Sequence, residues 1–110
     1  MTETDQATEP ALEQSDNAYH RHYRITSHAI DRYIERIGGD LGNMIADLDN
    51  AWLFDTASKR LARRICACIA RHERKGGWAM TNGRAIFIIM PKAHQHVIVT
   101  TLRMIYTWSK

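Results

Sequence analysis

The stretch "SHAIDRYIERI", residues 27–37, sets His28, Arg32 and Arg36 four residues apart. On a helix that spacing puts all three in one row. Their types suit phosphodiester chemistry. In RNA the 2′-hydroxyl can attack its own phosphate, provided a base removes the proton and an acid protects the leaving oxygen. Histidine suits both tasks, because its unperturbed pKa is about 6.5. Arginine suits a third, the stabilisation of charge growing on the phosphate. His28 is therefore a candidate acid or base, with Arg32 and Arg36 as candidate phosphate ligands.

Further histidines form two H-x-H pairs, His20 with His22 and His94 with His96. On a strand each pair would point to one face and could hold a metal ion. The sequence offers no clear carboxylate or cysteine to complete such a site. Cleavage without a metal or any other cofactor is the more economical expectation, with His96 as the partner of His28. Arg84, just after Asn82-Gly83, is a third candidate for holding phosphate. Cys66 and Cys68 are two apart, which on a helix turns them to different sides. They read as ordinary thiols.

A second basic feature lies in the middle of the chain. Projected as a helix, Leu61, Ile65, Cys68 and Ile69 share an apolar side, and Arg60, Arg63, Arg64, Arg71, Arg74 and Lys75 fall on the other. Like charges at helical spacing cost roughly 0.2–0.5 kcal/mol each, so this face was not composed for helix stability. Planar guanidinium groups match phosphate geometry, and Arg60, Arg63, Arg64, Arg71 and Arg74 are the candidate nucleic-acid contacts. His72 falls within the apolar arc and reads as a core histidine.

The elements that must position these residues follow from periodicity and breakers. Residues 18–26, "AYHRHYRIT", are a short strand or extended lead-in. A first helix starts at Ser27 or Thr26 and stops at Gly38-Gly39, with Ala29, Ile30, Tyr33, Ile34 and Ile37 as its apolar arc. A second is expected from Asp40 to Trp52, burying Leu41, Met44, Ile45, Leu48 and Trp52. A third, capped by Asp55 or Thr56, is expected to reach about Lys75, ended by Gly76-Gly77. Two strand-like runs then flank Asn82-Gly83, a strong hairpin signal because both turn positions take positive φ. Pro91 is expected to end the second run. The stretch from His96 is a third strand, ending at Arg103 or continuing to Trp108. The order predicts an α+β domain, with N-terminal helices packed on a small antiparallel meander.

Composition sets the bounds. The chain has 110 residues, 45% of them hydrophobic, which suits one domain with one core. No apolar run approaches the roughly 20 residues that span a bilayer, and the N-terminus lacks a signal-peptide pattern. A cytoplasmic location and no membrane partner are expected. The net charge of +3 hides an asymmetry. Residues 1–18 carry Glu3, Asp5, Glu9, Glu13 and Asp16 and no Lys or Arg, so all 15 basic residues lie in the remainder. That stretch reads as a disordered acidic leader before a single domain at 19–110.

"YRITSHAIDRYIERI" resembles the opening of small toxin-like proteins of the BrnT kind and related phage and bacterial domains, a short strand and then a helix of the form S-x-H-A-x-x-R-x-x-E-R. "NGRAIFIIM" and "VIVTTL" resemble their antiparallel strands. The resemblance covers about residues 23–103. It implies the barnase and RelE-like ribonuclease group and a metal-independent endoribonuclease that leaves a cyclic phosphate. His28 and Arg32 match the motif's polar residues, Arg36 its terminal arginine, and Thr100 a polar position of the late strand. The implied partners are RNA or another nucleic acid, and a cognate antitoxin or host protein. The long basic helix and the "PKAHQH" loop depart from the pattern. The alternative is a non-catalytic phage or bacterial regulator that docks on nucleic acid, or on a nucleic-acid-binding protein, through the basic helix.

Overall fold

A computed structural model of the chain describes residues 17–54 and 61–105. In chain order the elements are β1 (Ala18–His20), β2 (Tyr23–Ile25), α1 (Ser27–Arg36), α2 (Leu41–Asp49), β3 (Trp52–Leu53), α3 (Arg63–Glu73), β4 (Trp78–Thr81), β5 (Ala85–Lys92) and β6 (Gln95–Arg103). The class is α+β, as the order of periodicities predicts. The strands form one mixed sheet in the order β1-β2-β6-β5-β4-β3. All neighbours are antiparallel except β2 and β6, which run parallel with Tyr23 opposite His96 and Ile25 opposite Ile98.

The arrangement corrects the simple picture of helices followed by a meander. The N-terminal strands join the same sheet, and the helices lie on both of its faces. β5 shows why. Its alternate residues Ala85, Phe87 and Ile89 pack with Ala29 and Tyr33 of α1 and Met44 and Leu48 of α2. Ile86 and Ile88 pack instead with Ile65 and Ile69 of α3. An unbroken apolar run such as residues 85–89 is what a strand covered on both faces requires.

α1 begins where Thr26 accepts a hydrogen bond from the Ala29 amide through its hydroxyl oxygen (3.1 Å), so Thr26 is the N-cap. The same hydroxyl donates to the Ile98 carbonyl (2.9 Å), fixing the start of the helix to β6. α1 ends as expected at Gly38, whose φ of +98° is cheap only for glycine. Ile34, placed in the apolar arc by projection, is 46% exposed, because the buried stripe is narrower and centres on Ala29 and Tyr33. α2 stops at Asp49 rather than Trp52. Trp52 joins the edge strand β3 and stays exposed.

α3 spans Arg63–Glu73, shorter than the expected helix from 56 to 75. The expected start, with Arg60, lies outside the described residues, as do residues 1–16 of the leader and 106–108 of the extension to Trp108. Among the described residues, Asn17 accepts from the Ser27 amide and Ala18 opens β1. After α3, Gly77 packs so closely that a Cβ there would meet the Ile89 carbonyl oxygen at 2.7 Å.

The hairpin at Asn82-Gly83 forms, but its loop holds residues 82–84 and only Gly83 takes positive φ. Asn82 acts through its side chain, accepting from the amides of Arg84 and Ala85. β5 continues through Pro91 to Lys92 instead of ending at the proline. Among the described residues, no helix is long and apolar enough to cross a membrane.

Candidate functional site

β2 pairs with β6 only through Ile98. Beyond that point, among the described residues, no strand covers this edge of β6. The next backbone bond on that side comes from the Ala62 amide to the Ile105 carbonyl (2.9 Å), which brings the start of α3 to the end of β6. Between these two closures lies a cleft of about 460 Å³. α1 and α3 lie on opposite faces of the sheet, so only an open strand edge lets both reach one site.

The cleft is built from three elements. α1 contributes Glu35 and Arg36, α3 contributes Arg64 and Ile65, and Leu102, Arg103 and Ile105 come from β6 and the residues after it. Burial separates floor from rim. Ile65 is buried, and Leu102 and Ile105 are half-buried, whereas Arg36, Arg64, Arg103 and Glu35 are exposed. Three guanidinium groups therefore stand around an apolar floor. Among the described residues Arg36 makes one bond, from its Nη1 to the Thr101 carbonyl (2.9 Å), which engages one of its five donors. Arg64 and Arg103 have no ion-pair partner among the described residues. Glu35, the one acid at the cleft among the described residues, pairs with Arg32 in the preceding turn of α1.

The sequence-derived candidates are distributed unevenly around this cleft. Arg36 and Arg64, read from separate motifs, come together in it. Arg71 lies seven residues beyond Arg64 on α3, on the same side and about 10 Å along the axis. Arg63, at the start of α3, and Arg74, its C-cap, are also exposed, and Arg60 lies outside the described residues. Arg32 is engaged with Glu35 next to the cleft. His28 is exposed in the first turn of α1, eight residues and about 12 Å from Arg36. Thr100 is half-buried opposite Ile88 and does not line the cleft. Arg84 is drawn to Asp47, with its Nη2 2.9 Å from the carboxylate, an arrangement that raises its pKa and holds it away from the arginine cluster.

His96 belongs to a different group. Its ring meets the edges of His22 (4.7 Å between centroids) and Trp78 (4.9 Å) near the start of β6. His22 also stacks on Tyr23 at 4.4 Å. From His96 to Arg103 is seven strand residues, roughly 23 Å. The H-x-H pairs do not act as pairs. His20 bonds Asp49 (2.8 Å) while His22 lies in the turn after it, and His94 is in the β5–β6 turn. The bond from His20 is the main reason that the Asp49 carboxyl is held below its ordinary range. His72 uses Nδ1 to bond the Cys68 carbonyl (2.8 Å), in keeping with a helix-packed histidine.

Sequence reasoning missed Arg103, Glu35 and the apolar floor. Strand alternation argues against finding Leu102 and Arg103 in one site, since neighbours on a strand face opposite sides. They share the cleft because it wraps around an edge. No family model, curated protein or solved structure matches the chain.

Proposed function

We propose that the protein binds nucleic acid, with the cleft between α1, α3 and the open edge of β6 holding backbone phosphate. The observation that carries this reading is the convergence of Arg36, Arg64 and Arg103, from three separate elements, on one cleft whose single acid among the described residues is already paired. Guanidinium groups offer planar, two-point bonding to phosphate oxygens. Arg71 extends the positive face of α3 away from the cleft, Arg74 adds a further charge at its C-cap, and together they give the rest of a strand a second region of attraction. The excess of basic residues outside residues 1–18 supplies the long-range field that draws such a ligand in.

Cleavage is a further step that this geometry supports less well. Neither His28 nor His96 lines the cleft, and each lies far along its own element from the arginines. The binding reading needs no such group.

The test is a titration of labelled single-stranded oligonucleotides across a range of salt concentrations. Wild-type affinity should fall steeply with salt, because bound phosphates release counterions. Arg64→Gln combined with Arg103→Gln should weaken binding and flatten the slope by about 0.7 for each phosphate contact removed. Binding that is absent, or equally strong and salt-dependent in the double variant, would overturn the assignment.

A further inference from the structure

The make-up of the cleft says more than that it attracts phosphate. A surface that tracks a duplex backbone needs only cations, because the bases are stacked inside. Here the cations surround a recess with a hydrocarbon floor made by Ile65, Leu102 and Ile105. The volume of about 460 Å³ falls in the range of small-molecule sites. Arg36 and Arg103 stand on the α1 side of the sheet edge and Arg64 on the α3 side, so charged groups flank the recess from both directions.

The geometry points to a pocket for one unpaired nucleotide of a single-stranded nucleic acid. Its phosphate is held by Arg36, Arg64 and Arg103, and its base lies against Ile65, Leu102 and Ile105. This deepens the proposed function and rests on it. A paired nucleotide cannot enter, because its base is stacked and hydrogen-bonded within the helix. A bare phosphate would leave the apolar floor exposed to water and forgo the gain from covering it. Guanidinium planes at the rim can also lie against the face of a base. The base contributes contact area without hydrogen-bond readout, so the pocket should tolerate different bases.

Three probes of matched length separate the possibilities: a single-stranded oligonucleotide, the same sequence as a duplex, and a single strand carrying abasic sites. Electrostatics alone favours the duplex, whose charge density is higher and whose salt slope is steeper. Measured at salt high enough to suppress that term, the ordinary single strand should bind about tenfold or more tightly than either of the others, the ratio expected from covering an apolar ring face. Leu102→Ala and Ile105→Ala should narrow the gap between ordinary and abasic strands while leaving the abasic affinity unchanged. Circular dichroism identifies variants that fail to fold, and the wild-type comparison does not depend on them. Equal binding of ordinary and abasic strands, or preference for the duplex, would overturn the nucleotide pocket and leave the phosphate-binding cleft standing. Failure of all three probes to bind would overturn both.

Discussion

The Arg36 guanidinium donates to the backbone carbonyl of Thr101, 2.9 Å away, tying the last turn of α1 to the open edge of β6. One residue thus serves both the fold and the cleft. Arg64 and Arg103 reach the same cleft with no such bond to the chain among the described residues.

That difference separates two kinds of variant. Arg36→Gln should lower both stability and affinity for single-stranded nucleic acid. The stability loss should be about 1 kcal/mol, the usual scale for one hydrogen bond. Arg64→Gln should lower affinity alone. Thermal unfolding measured beside oligonucleotide titration checks the pair. If Arg36→Gln keeps full affinity, its guanidinium serves only the fold.

Among the described residues Glu35 is the one carboxylate at the cleft, and its partner Arg32 is on the same helix. Glu35→Gln removes a charge that repels phosphate and releases Arg32 to act as a further cation. Affinity should rise about two- to fivefold, in line with an exposed ion pair worth up to about 1 kcal/mol. The gain should shrink as salt is added, since exposed charges are screened. A fall in affinity would mean that Glu35 contacts the ligand directly, through a sugar hydroxyl or a base donor.

Tyr33 makes a prediction about pH. Its ring is buried between α1 and the sheet, stacked on Phe87, and its hydroxyl donates to Asp47. Burial, with help from the Asp47 bond, pushes its pKa up to about 12. The neutral phenol is therefore favoured in the folded state. The resulting stabilisation is complete below the ordinary value of 10.0 and is lost as pH rises through the folded value. Stability should fall between these limits, and Tyr33→Phe should remove that part of the fall. The substitution should also cost about 1.5–3 kcal/mol, the range for a hydrogen bond to a charged group. Ultraviolet titration of tyrosinate, comparing wild type with the variant, reads the assignment directly.

The fold class was legible because the periodicities are clean. Ala29 and Tyr33 mark the buried side of α1, Met44 and Leu48 that of α2, and the run at 85–89 marks a central strand. Less visible was which strands would meet. Nothing local in "YRI" or "VIV" says that β2 will lie parallel to β6, since that pairing joins residues more than 70 positions apart. The cleft depends on where that pairing stops. The basic character of Arg36 and Arg64 could be read from the sequence, but their convergence could not. Trp52 and Ile34 show the opposite limit, where an apolar residue at helical spacing was assigned to a core that does not extend so far.

The last prediction concerns His28, the residue most suited by type to acid–base chemistry and least enclosed by the fold. It is exposed in the first turn of α1, beside Thr26, which is bonded to Ile98 rather than to the arginine end of β6. A strand held at Arg36, Arg64 and Arg103 must continue along α1 to reach it. His28→Ala spares Ala29 and Tyr33, so the fold should be unchanged. Affinity should also stay within about twofold, the limit set by an exposed group worth a few tenths of a kcal/mol. Wild type incubated with a panel of single-stranded RNAs should leave them intact if the protein is a binder alone. Should wild type cut, and His28→Ala reduce that cutting by roughly 10²–10⁴-fold with affinity preserved, His28 is a general acid or base and the bound strand runs along α1. Abolition of cutting by a chelator, with recovery on added zinc, would replace metal-free chemistry with metal-dependent hydrolysis. Cutting that survives His28→Ala at full rate would direct attention to the His22–His96 group at the start of β6.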